Sequence, residues 1–206
     1  MKTISNTVAL QFVGIDIDET SCRNAELAFK ELPSVETTIL NKDIRKVDTD
    51  TLPKFDLVYM IHAHYYIKDF KSLVELLKHL VKDGTGSLLI VSTSQSPISS
   101  LIKMFFKKEH DFPLHPTEEL LRELDEMGVK YQVELHMKGV FNFNRCFTEG
   151  FSSNFSKDVL NFITHTRRFT YPEEVTKAVI EYIQVICRQS PDKGYVCDFC
   201  DAAITL

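Results

Sequence analysis

Glycine, proline and long apolar runs are all scarce in this sequence. Seven glycines and seven prolines in 206 residues, with 44% hydrophobic and 26% charged residues, argue against a disordered or low-complexity chain. No apolar run approaches the roughly 20 residues that a membrane-spanning helix needs. Clustered basic residues are also missing, since the net charge is −5 and the most basic stretch, KMFFKKEH at 103–110, is short. Neither nucleic acid nor a membrane is therefore expected as a partner.

Cysteine is sparse and its number is odd. The amino-terminal MKTISNTVAL has no apolar core of a secretory signal, and we expect reduced thiols in a cytoplasmic protein. CDFC at 197–200 has the spacing of a redox or zinc motif, but no second pair accompanies it. Ordinary cysteines are the favoured interpretation. The cysteines are Cys22, Cys146, Cys187, Cys197 and Cys200.

Segments typical of strands alternate with segments typical of helices. Apolar runs predict strands at 11–17, 35–43, 55–64, 87–94, 129–137 and 194–206. Helical spacing of apolar residues predicts helices at 19–32, 72–82, 115–128, 157–166 and 172–189, with an aromatic-rich loop at 145–156. The run 55–64 is the strongest strand, and we expect both of its faces to be covered. This order predicts one α/β domain over 1–206, a Rossmann-like, mostly parallel sheet with helices on both faces.

Polar residues follow three of the predicted strands. Asp16 and Asp18 end the first strand, Asp43 ends the second, and His62 and His64 end the third. Ligands of such sheets bind outside the carboxyl ends of the strands, and two carboxylates there suit a nucleoside without phosphates. Each acid alone could instead be a helix cap, which is the favoured interpretation for Asp18.

Several segments resemble the class I S-adenosylmethionine-dependent methyltransferases, and more narrowly the histamine N-methyltransferase family. The segments are FDLVYMIHAHYYIKDF at 55–70, LVKDGTGSLLIVSTS at 80–94, EELLRELDEMGVKYQVELHM at 118–137 and RCFTEG at 145–150. The resemblance implies the cofactor S-adenosylmethionine and methyl transfer to the nitrogen of a small amine. A non-catalytic methyltransferase-like protein with a binding role, or with none, is the alternative. A Rossmann-type dehydrogenase is disfavoured because its glycine fingerprint is missing.

The resemblance also implies site residues. Asp16 takes the place of the acid that holds the cofactor ribose, and His62 faces both cofactor and substrate. The implied cofactor-binding set is Asp16, Ser21, Asp43, Ile44, Ile61 and His62, where Asp43 and Ile44 flank the adenine and Ile61 packs on the cofactor.

The candidate substrate-binding residues are a histidine that can act as a base and several aromatic residues. His62 is the candidate catalytic residue, because an imidazole can hold or deprotonate an amine. Aromatic walls could bind a cationic or ring-bearing substrate, although core packing is the favoured interpretation for the phenylalanines. The candidate wall residues are Tyr65, Tyr66, Phe141, Phe143 and Phe147. A metal held by His62 and His64 is disfavoured because no third ligand stands at a suitable spacing.

The sequence departs from the family at its beginning. The family starts with a strand and a glycine-rich turn of the form E-x-G-x-G-x-G, whereas the first glycine here is Gly14. The GTG at 84–86 lies at the wrong end of the sheet. We expect a truncated isoform or an incomplete gene sequence; lost catalysis or a makeshift strand from 1–10 are the alternatives. Without its central strand, the sheet should leave 13–17 and 55–63 with unpaired neighbours.

Overall fold

In a computed structural model the chain forms two compact units, Met1–Pro53 and Lys54–Leu206. The structure describes residues 10–67, 69–94, 96–105, 116–163 and 171–206. The α/β class predicted from the sequence is confirmed. That the whole chain acts as a single domain stays a prediction.

The first unit is a strand–helix–strand arrangement. Strands β1 (Leu10–Asp16) and β2 (Val35–Asn41) pair in parallel, and helix α1 (Glu19–Lys30) connects them. Helix α1 packs on the pair through Phe29, whose ring stacks on Phe12 with centroids 4.3 Å apart. The strand predicted at 11–17 is confirmed, and β1 is half-exposed, with β2 as its sole partner among the described strands.

The second unit is built on a five-stranded mixed sheet. Its strands run in the order β3-β4-β7-β5, with β6 also paired to β7. The strands are β3 (Leu57–Ile61), β4 (Ser87–Thr93), β5 (Gln132–Asn142), β6 (Arg188–Ser190) and β7 (Gly194–Thr205). β3 and β4 are parallel, whereas β7 runs antiparallel to β4, β5 and β6.

Six α-helices accompany this sheet in the described part of the second unit. Helix α2 buries the apolar stripe that predicted it. A cluster of buried residues, most of them from helices and β7, forms an apolar core. The helices are α2 (Phe70–Leu80), α3 (Pro97–Phe105), α4 (Pro116–Glu126), α5 (Asn144–Glu149), α6 (Asn154–Ile163) and α7 (Glu173–Ile186). The core cluster consists of Leu101, Phe143, Cys146, Leu160, Ile163, Val179, Ile183 and Cys197.

Strand β3 differs from its prediction. It is shorter than 55–64, and its residues alternate, with Val58 and Met60 buried and Leu57, Tyr59 and Ile61 about half exposed. The expectation that both faces are covered is therefore wrong. In the described part of the chain β1 pairs with β2 and β3 pairs with β4, and that both lack a second neighbour in the whole sheet stays a prediction.

Candidate functional site

Asp16 lies at the carboxyl end of β1 and is exposed. Its Oδ1 accepts a hydrogen bond from the backbone N–H of Asp18 at 2.8 Å, which leaves Oδ2 for a ligand hydroxyl. Asp18 caps helix α1, because its Oδ1 accepts from the backbone N–H of Ser21 at 2.7 Å. The capping role predicted for Asp18 is confirmed. Ser21 itself is an exposed residue of the first helical turn.

Asp43 follows β2 and is already engaged by a cation. Its Oδ1 accepts from Arg45 Nε at 2.9 Å and its Oδ2 from Arg45 Nη2 at 2.5 Å. These bonds, with a third from the Arg45 backbone, lower the pKa of Asp43 to about 2. The carboxylate can therefore take an adenine amine only by sharing its oxygens with Arg45. Ile44, the next residue, is half-buried.

His62 follows β3 with a backbone conformation that side chains rarely adopt. Its φ is 51°, and it is the one non-glycine residue with positive φ in the described part of the chain. This twist ends the strand at Ile61, whose side chain is 52% exposed, while the His62 N–H still donates to Val91 O at 3.0 Å. Strain of this kind persists where the surroundings fix it, and it concentrates at functional sites.

Two side chains from other strands hold the His62 ring. Its Nδ1 lies 3.2 Å from Thr93 Oγ1 at the end of β4, and its Nε2 lies 3.3 Å from Asp201 Oδ2 on β7. The His62 side chain remains 37% exposed, whereas that of Asp201 is 10% exposed. The ring is therefore fixed on two sides and open on a third.

Asp201 is a buried carboxylate with one strong partner. Its Oδ1 has no hydrogen-bond donor among the described residues, so His62 alone compensates the burial. Burial raises the pKa of the Asp201 carboxyl, and the neighbouring His62 partly offsets this effect. Such desolvated carboxylates paired with one titratable partner are typical of functional sites.

A second set of polar side chains is connected to His62 through Thr93. His64 is buried, and its Nε2 lies 3.4 Å from Ser92 Oγ. The Thr117 hydroxyl lies 3.0 Å from Ser92 Oγ and donates to the Thr93 carbonyl oxygen at 2.9 Å. Together with His62 and Asp201 these residues form what we call the polar network, which joins β3, β4, β7 and α4.

The aromatic candidates separate into surface and core residues. Tyr66 is 60% exposed, and the side chain of Tyr65 lies outside what the structure describes. Phe147 stacks on Tyr195 with centroids 4.1 Å apart and meets Phe151 edge-on. Phe147 thus packs against the core cluster, as Phe141 does, and Phe143 belongs to that cluster. Core packing accounts for all three phenylalanines, and a substrate contact by Phe147 stays a prediction.

Metal and thiol chemistry find little support in the described residues. His62 and His64 do not share a strand face, because β3 ends before them. Within the described ranges no three His, Cys, Asp or Glu side chains are grouped as metal ligands. Burial raises the pKa of Cys197 to about 11, which disfavours a reactive thiolate. None of the described helices is long and apolar enough to span a membrane.

Sequence reasoning found His62 but missed the residues that hold it. Thr93 and Ser92 are polar residues at the end of an apolar strand, and Asp201 precedes the small and apolar residues that finish β7. An acid beside the small and apolar residues at the end of such a strand was a usable signal. The pairing of Asp201 with His62 could not be predicted, because it depends on the order of the strands, which places β7 beside β4.

Proteins of known sequence with significant similarity include histamine N-methyltransferases. The Bos taurus enzyme is 24% identical over 146 residues, which are 68% of this chain and 49% of that protein. The Danio rerio enzyme is 27% identical over 141 residues, 64% of this chain and 46% of that protein. The resemblance is confirmed, and the chain spans about half the length of the curated relatives it matches. No family model matches the chain.

Solved structures share the fold at low identity. A candidate methyltransferase from Bacillus halodurans is 17% identical with a TM-score of 0.56, and the match covers 95% of this chain and 81% of that one. The YcgJ protein of Bacillus subtilis is 13% identical with a TM-score of 0.54, covering 94% and 80%. The [4+2]-cyclase SpnF is 12% identical with a TM-score of 0.50, covering 96% and 66%. The fold is that of class I methyltransferases, and the cyclase shows that this fold alone leaves the chemistry open.

Proposed function

We propose that this chain is an S-adenosylmethionine-dependent N-methyltransferase that acts on a small amine. The observation that carries the proposal is the strained, half-exposed His62 at the carboxyl end of β3, held by Thr93 and Asp201. The resemblance to histamine N-methyltransferases supports the amine as acceptor. Carboxyl ends of strands are where open α/β sheets bind their ligands.

The donor set of the first unit fits the cofactor in part. Asp16 is exposed and offers Oδ2 to ribose hydroxyls, since only Oδ1 is used by the Asp18 N–H. Asp43 would share its oxygens between Arg45 and the adenine amine, and Ile44 would supply an apolar contact. The resemblance implies that Ile61, which is about half exposed, packs on the cofactor. When bound, S-adenosylmethionine supplies an electrophilic methyl group on a sulfonium.

His62 would act on the other reactant. An amine attacks a methyl group only through its neutral nitrogen, so its proton must first be removed. The His62 imidazole can accept this proton on a ring nitrogen, and its 37% exposed side chain lets solvent take the proton up afterwards. The exposed Tyr66 and the neighbouring Tyr65 would then contact the substrate.

A titration of S-adenosylhomocysteine into the purified chain tests cofactor binding. We expect a Kd on the order of micromolar. Asp16→Ala should weaken binding about 10- to 100-fold, because a charged acceptor of hydroxyl donors contributes roughly 1.5–3 kcal/mol. Glu36→Ala is the matched control, since Glu36 is an exposed acid near the opposite, amino-terminal end of the same strand pair.

The result separates two candidate functions. If Asp16→Ala binds S-adenosylhomocysteine as tightly as the native chain does, Asp16 does not hold the ribose. No binding by well-folded protein would favour the second candidate, a non-catalytic methyltransferase-like protein. If binding is seen, histamine and other small amines should be tested as methyl acceptors.

A further inference from the structure

The contacts of His62 determine which ring nitrogen carries the proton. An ionised carboxylate can only accept hydrogen bonds, so Nε2, at 3.3 Å from Asp201 Oδ2, must be the protonated nitrogen. A neutral ring then has its lone pair on Nδ1, where the Thr93 hydroxyl at 3.2 Å can donate. Asp201 thus determines the tautomer by accepting from Nε2–H, and the Thr93 hydroxyl donates to the basic nitrogen, Nδ1.

The burial of Asp201 strengthens this assignment. Asp201 is 7% exposed, and its second oxygen has no donor in the described part of the chain. Because His62 is the single partner of this desolvated carboxylate, a change to the Nδ1–H tautomer would leave the carboxylate without any donor. The twisted backbone at His62 further restricts where the ring can go.

We propose that Asp201 is the positioning residue for His62, holding the Nε2–H tautomer so that Nδ1 serves as the proton acceptor for the substrate amine. This inference rests on the proposed function. The ammonium N–H replaces the Thr93 hydroxyl at Nδ1, and its proton passes to the ring, which becomes an imidazolium beside the Asp201 carboxylate. The neutral amine keeps the electron pair that forms the new N–C bond, while the C–S bond electrons stay with sulfur. The imidazolium then returns its proton to solvent.

The tautomer can be measured without any enzymatic activity. In protein with 15N-labelled histidine, long-range 1H–15N correlations distinguish a protonated from an unprotonated ring nitrogen. The His62 signals are assigned by their loss in His62→Gln. We expect the Nε2–H form in the native chain and loss of this preference in Asp201→Ala. The exposed His79 on α2 is the internal control, and its signals should not change.

Kinetics supply the second readout. Asp201→Asn keeps the size of the side chain and removes its charge, and it should lower kcat about 100-fold, the lower end of what a general base contributes, with KM within about twofold. Asp198→Asn is the matched control on the same strand, since Asp198 forms an ion pair with Arg188 on the surface. Its kcat should equal that of the native chain.

The outcomes distinguish this inference from the proposed function. An Nε2–H form that is lost in Asp201→Ala, in a chain that methylates no amine, would support the positioning role and reject the methyltransferase. An Nδ1–H form in the native chain would overturn the positioning role, as would a tautomer unchanged in Asp201→Ala. An unchanged kcat for Asp201→Asn in an active chain would also overturn it. If Asp201→Ala fails to fold, the tautomer of the native chain and the kinetics of Asp201→Asn still decide.

Discussion

Asp201 combines burial with a single polar partner, and this combination has a consequence for stability. Burial raises the pKa of its carboxyl above the usual value of 3.8, so the fold favours the protonated form. The stabilising contribution of the proton is fully present below that value and is lost as the pH rises through the raised pKa. Above that raised pKa the ionised Asp201 therefore weakens the fold, a common feature of functional residues.

Asp201→Asn should become more stable relative to the native chain as the pH rises from about 4 to about 7. The asparagine has no proton to lose, so the variant avoids the destabilisation that the native carboxylate suffers on ionising. The difference between the two melting temperatures at several pH values is the measurement. Asp83→Asn, in an exposed turn, is the control and should show a small difference at every pH. A difference that moves in the other direction would mean that the pair with His62 stabilises the fold.

At the scale of single residues, the sequence predicts those whose role is local. The helix cap at Asp18 was predictable because its partner, the Ser21 N–H, lies three residues away. The Asp43–Arg45 pair is equally local, but its pattern was not recognised. The contact of His62 with Asp201 depends on strand order in the second unit, and no spacing in the sequence encodes it.

Strands β5 and β7 show how one glycine can permit close packing between elements. Gly139 of β5 lies opposite Phe199 of β7, and a Cβ at position 139 would collide with three carbons of the Phe199 ring. The glycine leaves room for the ring to lie across the strand, as is typical where two groups approach closely in a sheet.

Gly139→Ala should lower the free energy of unfolding by about 1–3 kcal/mol, the usual effect of overpacking. Chemical denaturation of the native chain and the variant measures it. Because the cause is the contact with Phe199, the same substitution in a Phe199→Val background should have a much smaller effect. Equal effects in both backgrounds would show that the loss comes from the backbone and not from the ring.

Prediction at the scale of elements succeeded where one apolar stripe was long enough. Helix α2 buries Leu73, Leu77 and Leu80, the residues whose spacing predicted it. The prediction of a loop at 145–156 is wrong, because this range contains most of α5 and the start of α6. Neither helical stretch is long enough within the range to show a clear helical spacing of apolar residues. β3 ends early because His62 adopts a positive φ, which its apolar flanking sequence does not reveal.

On the scale of the whole molecule, the two units differ in how much they bury. Between residues 10 and 53 Cys22 is the only buried residue, whereas the second unit contains a continuous apolar core. Burial of apolar surface is the main source of stability, so the first unit is expected to open more easily. If Asp16 holds a nucleoside, ligand binding would be the main means of stabilising that unit.

Hydrogen exchange followed by mass spectrometry can test this difference in the intact chain. Peptides covering β1 to β2 should exchange faster than peptides covering β7, whose residues Val196, Ala202 and Ile204 are fully buried. S-adenosylhomocysteine should slow exchange around Asp16 and have no such effect in Asp16→Ala, because the variant lacks the acceptor for the ribose hydroxyls. Glu36→Ala should respond as the native chain does. Equally slow exchange in both units without ligand would show that the first unit is stabilised by interactions other than its own burial.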